Sequence, residues 1–519
     1  MPLNTVAWWF EATISLGFCG RKAGFVDKKQ DHSELVSKIL TGARWATVLR
    51  MGAQIFTWLS TLIVIRFLSP EDYGLNSMLA SPMVLMMLVS TLGLEAALVQ
   101  TKNIKQEDLQ SIFGWLLVLN GILFLAYFLG GAALAAYFKE PRLDLLAKVM
   151  AFVFLLVPFR VIPNALLDRD LDFKLRAQLE ITASVVAAIT TVTLAYLGAG
   201  VWALVTGLLL GKFLLTVLLV IFKPWFVIPK LRFASTDRIM FVGGVITLSG
   251  FLTLLSDQLI TLVAGPVLGA TLLGIYGVSA ELASLPLSKL MPVINQTLLP
   301  AFAKFQDHRD SATYYLEKLL GVTTLAFIPM MVGMACVADT LVLTLFGEKW
   351  ASSVLPLAIM SLGMIFRMTT LQLKTVMVGM GRADLPLKSN ALQLALLFPM
   401  TLYAMQHGVV GLVVAWVATE FLVMLATVRM SKQVLDTTFM RLIRCYRPAL
   451  VSSMVMAVCV MGIKILLGNQ ANIAVLLIAV AMGGVSYFLA ARFLFAKEYR
   501  VAFATVFGNR VGFWAARPR

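Results

Sequence analysis

Charge is scarce in this chain. Of 519 residues only 13% are charged, while 60% are hydrophobic. A soluble protein of this length could not cover its surface with so few charges, so a soluble globular class is excluded. Acids are scarcer than bases: 27 Asp and Glu stand against 43 Lys and Arg, for a net charge of +16. In a soluble chain that balance would point to nucleic acid, but here its meaning depends on where the cations lie. Cysteine is sparse and scattered, at Cys19, Cys336, Cys445 and Cys459. None has metal-ligand spacing to another cysteine or to His32, His308 or His407, so neither a disulfide framework nor a metal site is expected. Enzyme signatures are missing too. The chain has no Gly-rich phosphate loop, Walker lysine, HExxH or CxxC pair, and no connection with room for a catalytic loop. Catalysis, direct ATP coupling and a bound cofactor are therefore not expected.

What the chain has is apolar length. Fourteen runs of about 20–28 residues are long enough to cross a bilayer core. They lie near 43–67, 73–99, 111–137, 143–165, 175–197, 200–222, 238–265, 271–300, 316–338, 352–378, 386–406, 408–428, 447–467 and 473–494. The expectation is an all-α polytopic membrane protein with fourteen transmembrane helices. Loop cations alternate. One set of loops holds Lys102 and Lys105, Arg169, Lys174 and Arg176, Lys223 and Lys230, Lys304 and Arg309, Arg382 and Lys388, and Arg441 to Arg447. The other set holds only Lys139, Arg142 and Lys349. By the positive-inside rule both termini are cytoplasmic. The net charge is then a topology signal, and no nucleic-acid partner is expected.

The turn Arg66-Phe67-Leu68-Ser69-Pro70-Glu71-Asp72-Tyr73-Gly74-Leu75 joins the first two runs. Ser69 suits a helix cap and Pro70 the first helical position, while Glu71 and Asp72 complement the positive end of the helix dipole. An echo follows at Leu268-Gly269-Ala270-Thr271-Leu272-Leu273-Gly274-Ile275, with Leu68/Leu268, Gly74/Gly274 and Ala80/Ala280 in register. The echo predicts two copies of one six-helix bundle, a common transporter plan. The expected organisation is an N-terminal extension 1–34, an N-lobe 35–222, a linker 223–237, a C-lobe 238–430, two further helices in 431–495 and a basic tail 496–519. Residues 1–33 carry their bases after the apolar Trp8-Trp9-Phe10, the wrong order for a secretory signal and suited to a helix lying in the inner interface. Pro82 and Pro286 fall in corresponding spans, where bends would help shape two facing lobes.

An ionised side chain near the bilayer centre costs roughly 2.5–3.5 kcal/mol on insertion scales. With Arg66 and Lys318 set aside at run boundaries, and Lys148 and Lys464 near outer helix ends, the cations that remain within the runs are Arg50, Arg160, Lys212, Lys289, Arg367 and Lys374, and the acids Glu95, Asp257, Glu281 and Glu420. These groups must face each other or water. Ser77, Ser81, Thr91 and Glu95 share one helical side at 100° per residue, as do Glu281, Ser284, Ser288 and Asn295, and Arg367, Thr370 and Lys374. Such sorting is expected of helices that line a wet cavity. The excess of cations favours an anion such as a phosphate or pyrophosphate, which Arg binds through paired donors and Lys through a compact charge. The alternative is cross-helix pairing, as between Arg50 and Glu95. Asp257 and Glu281 either pair with Lys289 or carry Na⁺ or H⁺.

The turn at 66–75, the stretch Leu167-Asp168-Arg169-Asp170-Leu171-Asp172-Phe173-Lys174 and the loop Gly379-Met380-Gly381-Arg382 together resemble bacterial polysaccharide transporters. These are the Wzx-type lipid-linked oligosaccharide flippases of the multidrug/oligosaccharidyl-lipid/polysaccharide exporter superfamily. The likeness covers residues 35–495. It implies two six-helix lobes around a central cavity, followed by two extra helices. It implies that an oligosaccharide repeat unit on undecaprenyl pyrophosphate is flipped across the bacterial inner membrane by alternating access, for exopolysaccharide, capsule or O-antigen synthesis. A polymerase and a co-polymerase are the partners it implies, besides the lipid bilayer. A lipid II flippase and a multidrug antiporter of the same superfamily are the nearest alternatives. A membrane glycan polymerase is the alternative from another class.

Overall fold

The computed structural model describes residues 59–91, 93–95, 98, 106–170, 172–225, 227–230, 237–306, 308–467 and 472–496, together with Phe56. The described residues form helices and short turns, with no strand among them. In chain order the helices are α1 (Pro70–Thr91), α2 (Gln106–Phe138), α3 (Arg142–Arg169), α4 (Phe173–Tyr196), α5 (Val201–Phe222), α6 (Asp237–Ala303), α7 (Arg309–Leu345), α8 (Val354–Gly379), α9 (Asp384–Ala404), α10 (Gly408–Ser431), α11 (Phe439–Leu466) and α12 (Ile473–Leu494). Helical residues also precede α1, at 59–67.

These helices fall on the expected runs from 73–99 onward, the first of them as far as Thr91, while most of the run 43–67, with Arg50, lies outside the described residues. So do the expected extension 1–34 and the basic tail from 497 on. Eleven segments among the described residues are long and apolar enough to cross a membrane. Two of them, Gly250–Pro292 and Asp384–Ser431, each take in a pair of the expected runs. The described residues therefore give the polytopic all-α class but not the count of fourteen. The surface agrees with a hydrocarbon solvent. Ile465, Leu466 and Phe493 are 78%, 85% and 77% exposed, whereas Ser81, Asn120, Gln372 and Ser452 are fully buried. This is a multi-pass membrane protein.

Two helices owe their starts to the chemistry expected of the first turn. At α1, Ser69 Oγ accepts from the Asp72 amide at 3.2 Å, and Asp72 Oδ2 accepts from the Ser69 amide at 3.0 Å. That reciprocal cap satisfies two donors that a helix start would otherwise leave unpaired. Asp72 Oδ1 also accepts from the Val201 amide at 2.9 Å, which fixes the start of α5 against the same turn. Gly200, just before it, has φ of +55°, and a Cβ there would lie 2.7 Å from Asp72 Oδ1. Only glycine fits both constraints. Glu71 pairs with Arg142 at the start of α3. Thus α1, α3 and α5 all begin at one end and run parallel.

The chain divides into two compact units at Gly269, and the expected linker 223–237 lies inside the first. At that glycine α6 breaks, with φ of +75°, a left-handed conformation suited to glycine. The break falls within the echo of the first turn. The first half of α6 is held by Tyr137 of α2, whose hydroxyl donates to the Leu262 carbonyl at 2.8 Å. The core of the first unit joins α2 and α3 through Ile112, Phe113, Leu116, Val157, Val161 and Ile162. In the second unit α7 packs on α11 and α12 around Val337, Met456, Val460, Leu476 and Ala479.

Candidate charge sites inside the membrane helices

In the first unit, Arg176 of α4 is a hub. Its guanidinium pairs with Asp168 at the end of α3, with Glu180 one turn along α4 at 2.9 Å, and with Glu95 at 3.5 Å. Glu95 is thus held by Arg176, while Arg50, the partner expected for it, lies outside the described residues. Beyond the hub stand Arg160 of α3 and Lys212 of α5, both half-buried. Arg160 lies within electrostatic reach of Glu95, Arg176 and Glu180. Lys212 lies within reach of Arg160 and Glu180. The structure therefore brings together three of the expected residues, Glu95, Arg160 and Lys212, and adds Asp168, Arg176 and Glu180. Sequence reasoning had assigned Arg176 to a loop. The available signal was its i,i+4 spacing from Glu180, which places both on one helical face. Asp257, also of this unit, is exposed on the first half of α6.

In the second unit, Arg367 and Lys374 do lie on one side of α8, two turns apart, but that side packs against α9 and α10. Arg367 Nη1 meets Glu420 Oε1 of α10 at 3.0 Å, and the Glu420 side chain is 2% exposed. Gln393 Nε2 of α9 donates to the same oxygen at 3.0 Å. Lys374 Nζ donates to Asn390 Oδ1 of α9 at 2.7 Å. Ser389 and Thr427 join α9 to α10 at 2.8 Å. Thr370, expected to line water, is buried and bonds the Phe366 carbonyl of its own helix. Of the two readings open for Arg367, cross-helix pairing is the one the structure displays. A buried carboxylate is too costly to leave without a cation. Asn390 and Gln393 went unnoticed in the sequence because they look like isolated polar residues in an apolar run. Their i,i+3 spacing was the signal.

Glu281 and Lys289 lie on the second half of α6, Glu281 exposed and Lys289 half-buried. Ser284 and Ser288 bond carbonyls of their own helix, each at 2.9 Å. Asn295 accepts from Thr375 of α8 at 2.8 Å. Lys464, set aside in the sequence as lying near a helix end, is buried in α11, where it pairs with Asp339 of α7 and donates to the Cys336 carbonyl. It fastens the last two helices to the unit. Among the described residues no three His, Cys, Asp or Glu side chains come together as metal ligands.

Residues 63–355 match the family described as "Polysaccharide biosynthesis protein". That is more than half of the chain. The chain belongs to the polysaccharide biosynthesis protein family. Its similarity to individual members of known name extends further. It is 26% identical over 413 residues to the lipopolysaccharide biosynthesis protein WzxC of Escherichia coli K12, covering 78% of this chain and 83% of that one. It is 26% identical over 313 residues to the succinoglycan biosynthesis transport protein ExoT of Rhizobium meliloti, covering 59% and 62%. Among solved structures, the inward closed conformation of the lipid II flippase MurJ superposes with a TM-score of 0.68. That match is at 15% identity and covers 88% of this chain and 99% of MurJ. At that identity the likeness is one of fold. This chain therefore shares the helical fold of that structure.

Proposed function

We propose that this protein moves a lipid-linked, negatively charged oligosaccharide across the bacterial inner membrane during synthesis of a cell-surface polysaccharide. It is a transport protein, not an enzyme. The observation that carries the reading is the joint one of family and charge. A polysaccharide biosynthesis protein with membrane-length helices places Arg160, Lys212, Lys289 and Lys374 along apolar helices. Cations so placed suit a phosphorylated headgroup. The carrier we infer is undecaprenyl pyrophosphate, with both termini of the protein in the cytoplasm, where the loop cations lie. The headgroup site opens alternately to the two faces of the membrane. Exposed Asp257 and Glu281 are the groups we assign to Na⁺ or H⁺ coupling, and a polymerase with its co-polymerase would receive the product.

The test is genetic. In a strain that makes a surface polysaccharide but lacks its own flippase, expression of this protein from a panel of hosts' glycan loci is expected to restore polymer on the cell surface in at least one. Accumulation of unpolymerised lipid-linked units inside every strain, with the protein present in the membrane, would count against the reading. Rescue of a strain depleted of its lipid II flippase, with no effect on polysaccharide, would replace it with the neighbouring one.

A further inference from the structure

A proline inside a helix has no N–H to give, so the carbonyl four residues before it loses its partner. In hydrocarbon no water replaces that partner, and an open carbonyl is costly. In this protein tyrosines from other helices meet such carbonyls. Pro329 lies inside α7 and opens the Leu325 carbonyl. The Tyr487 hydroxyl of α12 donates to it at 2.6 Å. Pro266 lies in α6, three residues before the break at Gly269, and opens the Leu262 carbonyl. The Tyr137 hydroxyl of α2 donates to that one at 2.8 Å. At Pro82 of α1 the open carbonyl is that of Met78, which accepts from Ser81 Oγ at 3.3 Å. The next carbonyl along, Leu79, accepts from the Tyr127 hydroxyl of α2 at 2.6 Å.

A tyrosine is not the universal answer to a helical proline. Pro158 and Pro163 of α3 open the carbonyls of Phe154 and Phe159, and among the described residues neither accepts from a side chain. The pairing is therefore a built feature of α1, α6 and α7. Tyr127 is buried, Tyr137 is exposed, and Tyr487 packs on the cluster of Val337, Met456 and Leu476. Tyr127 and Tyr137 stand about 15 Å apart along α2, so one helix braces two others. Tyr487 carries α12 onto the proline of α7. The helix that Tyr137 braces, α6, also carries Asp257 and Glu281, the groups assigned above to coupling.

We propose that Tyr127, Tyr137 and Tyr487 are positioning residues, each fixing a proline bend from a neighbouring helix and so setting the course of a helix that transport uses. Proline makes the bend and loosens the turn before it. The tyrosine hydroxyl occupies the carbonyl of that loosened turn and holds it in one arrangement. The part concerning transport rests on the reading above; the latch between tyrosine and proline does not.

The full chain in lipid nanodiscs tests the latch by a double-mutant cycle in the thermal midpoint. Tyr487→Phe removes only the hydroxyl and is expected to lower the midpoint by about 2–4 °C. Pro329→Ala gives the Leu325 carbonyl a main-chain donor. On that background Tyr487→Phe should lower the midpoint by less than about 1 °C. Tyr137→Phe with Pro266→Ala is expected to behave in the same way. Tyr403→Phe, at an exposed tyrosine whose ring packs against His407, should change nothing. Equal losses with and without the proline, in both cycles, would overturn the latch. Should Pro329→Ala fail to give monodisperse protein, the cycle of Tyr137 and Pro266 decides alone. Surface-polysaccharide rescue separates positioning from stability. At matched protein levels Tyr487→Phe is expected to lower rescue about fivefold. The double variant with Pro329→Ala should stay low although its midpoint has recovered, because the bend is gone. Rescue that recovers together with the midpoint would overturn the positioning role. Coupled midpoints in a wild-type protein that rescues no strain would sink the transport reading and leave the latches standing.

Discussion

Replacing Arg367 with alanine is expected to remove most of the folded protein from the membrane, not merely its activity. The substitution takes the cation from Glu420, 2% exposed, which keeps the neutral donor of Gln393. Breaking a buried pair by deleting one partner costs about 3–5 kcal/mol. Membrane proteins have little stability to spare, and such a loss is a large part of the usual total. The sharper form is the pair of variants. Arg367→Met with Glu420→Gln removes both charges, keeps similar volume and preserves a hydrogen bond to Gln393. Fluorescence-detected size exclusion should show a monodisperse peak for the double variant and a depleted or aggregated one for Arg367→Ala. A well-folded Arg367→Ala protein that fails only in transport would reassign this residue to the substrate.

Arg176 gives the second large effect. One guanidinium with five donors holds Asp168, Glu180 and Glu95, and so ties the end of α3 and the residues following α1 to α4. Arg176→Ala brings three carboxylates together with no shared cation. A marked drop in the melting temperature of purified protein is expected. Asp168→Asn in the same chain should restore part of it, with a coupling energy of about 0.5–3 kcal/mol. Arg176→Lys should recover less than a conservative exchange normally would, since an ammonium cannot offer the forked geometry that three acids use here. Purely additive effects would mean that the three contacts are independent surface pairs, worth little each.

The sequence made the membrane class and most helix positions readable, because apolar length and loop charge are local properties. The cap at Ser69–Asp72 was readable for the same reason: its donors and acceptors lie within four residues. The break at Gly269 also showed, through its echo of the first turn. What did not show was which charges meet. Arg367 and Glu420 are 53 positions apart, and their pairing depends on how α8 and α10 rotate about their axes, which hydropathy does not encode. Arg367 and Lys374 therefore looked like equal cavity cations, although one is consumed by a buried carboxylate and the other donates to an amide. Arg176 was misplaced because a cation near a helix end reads as loop charge until the acids around it are known. Arg160 and Lys212 were read singly as membrane cations, and that they stand within electrostatic reach of each other is a matter of packing between α3 and α5.

The central claim is that fixed cations within apolar helices carry a negatively charged headgroup across the bilayer. Purified protein in liposomes, given undecaprenyl-pyrophosphate-linked oligosaccharide and the same oligosaccharide on undecaprenol without phosphate, tests it most directly. Protein-dependent translocation of the diphosphate form, at least tenfold faster than the uncharged form and slowed by Lys212→Gln, is the predicted result. Equal rates for the two lipids, or rates no different from empty liposomes under both Na⁺ and H⁺ gradients, would contradict it.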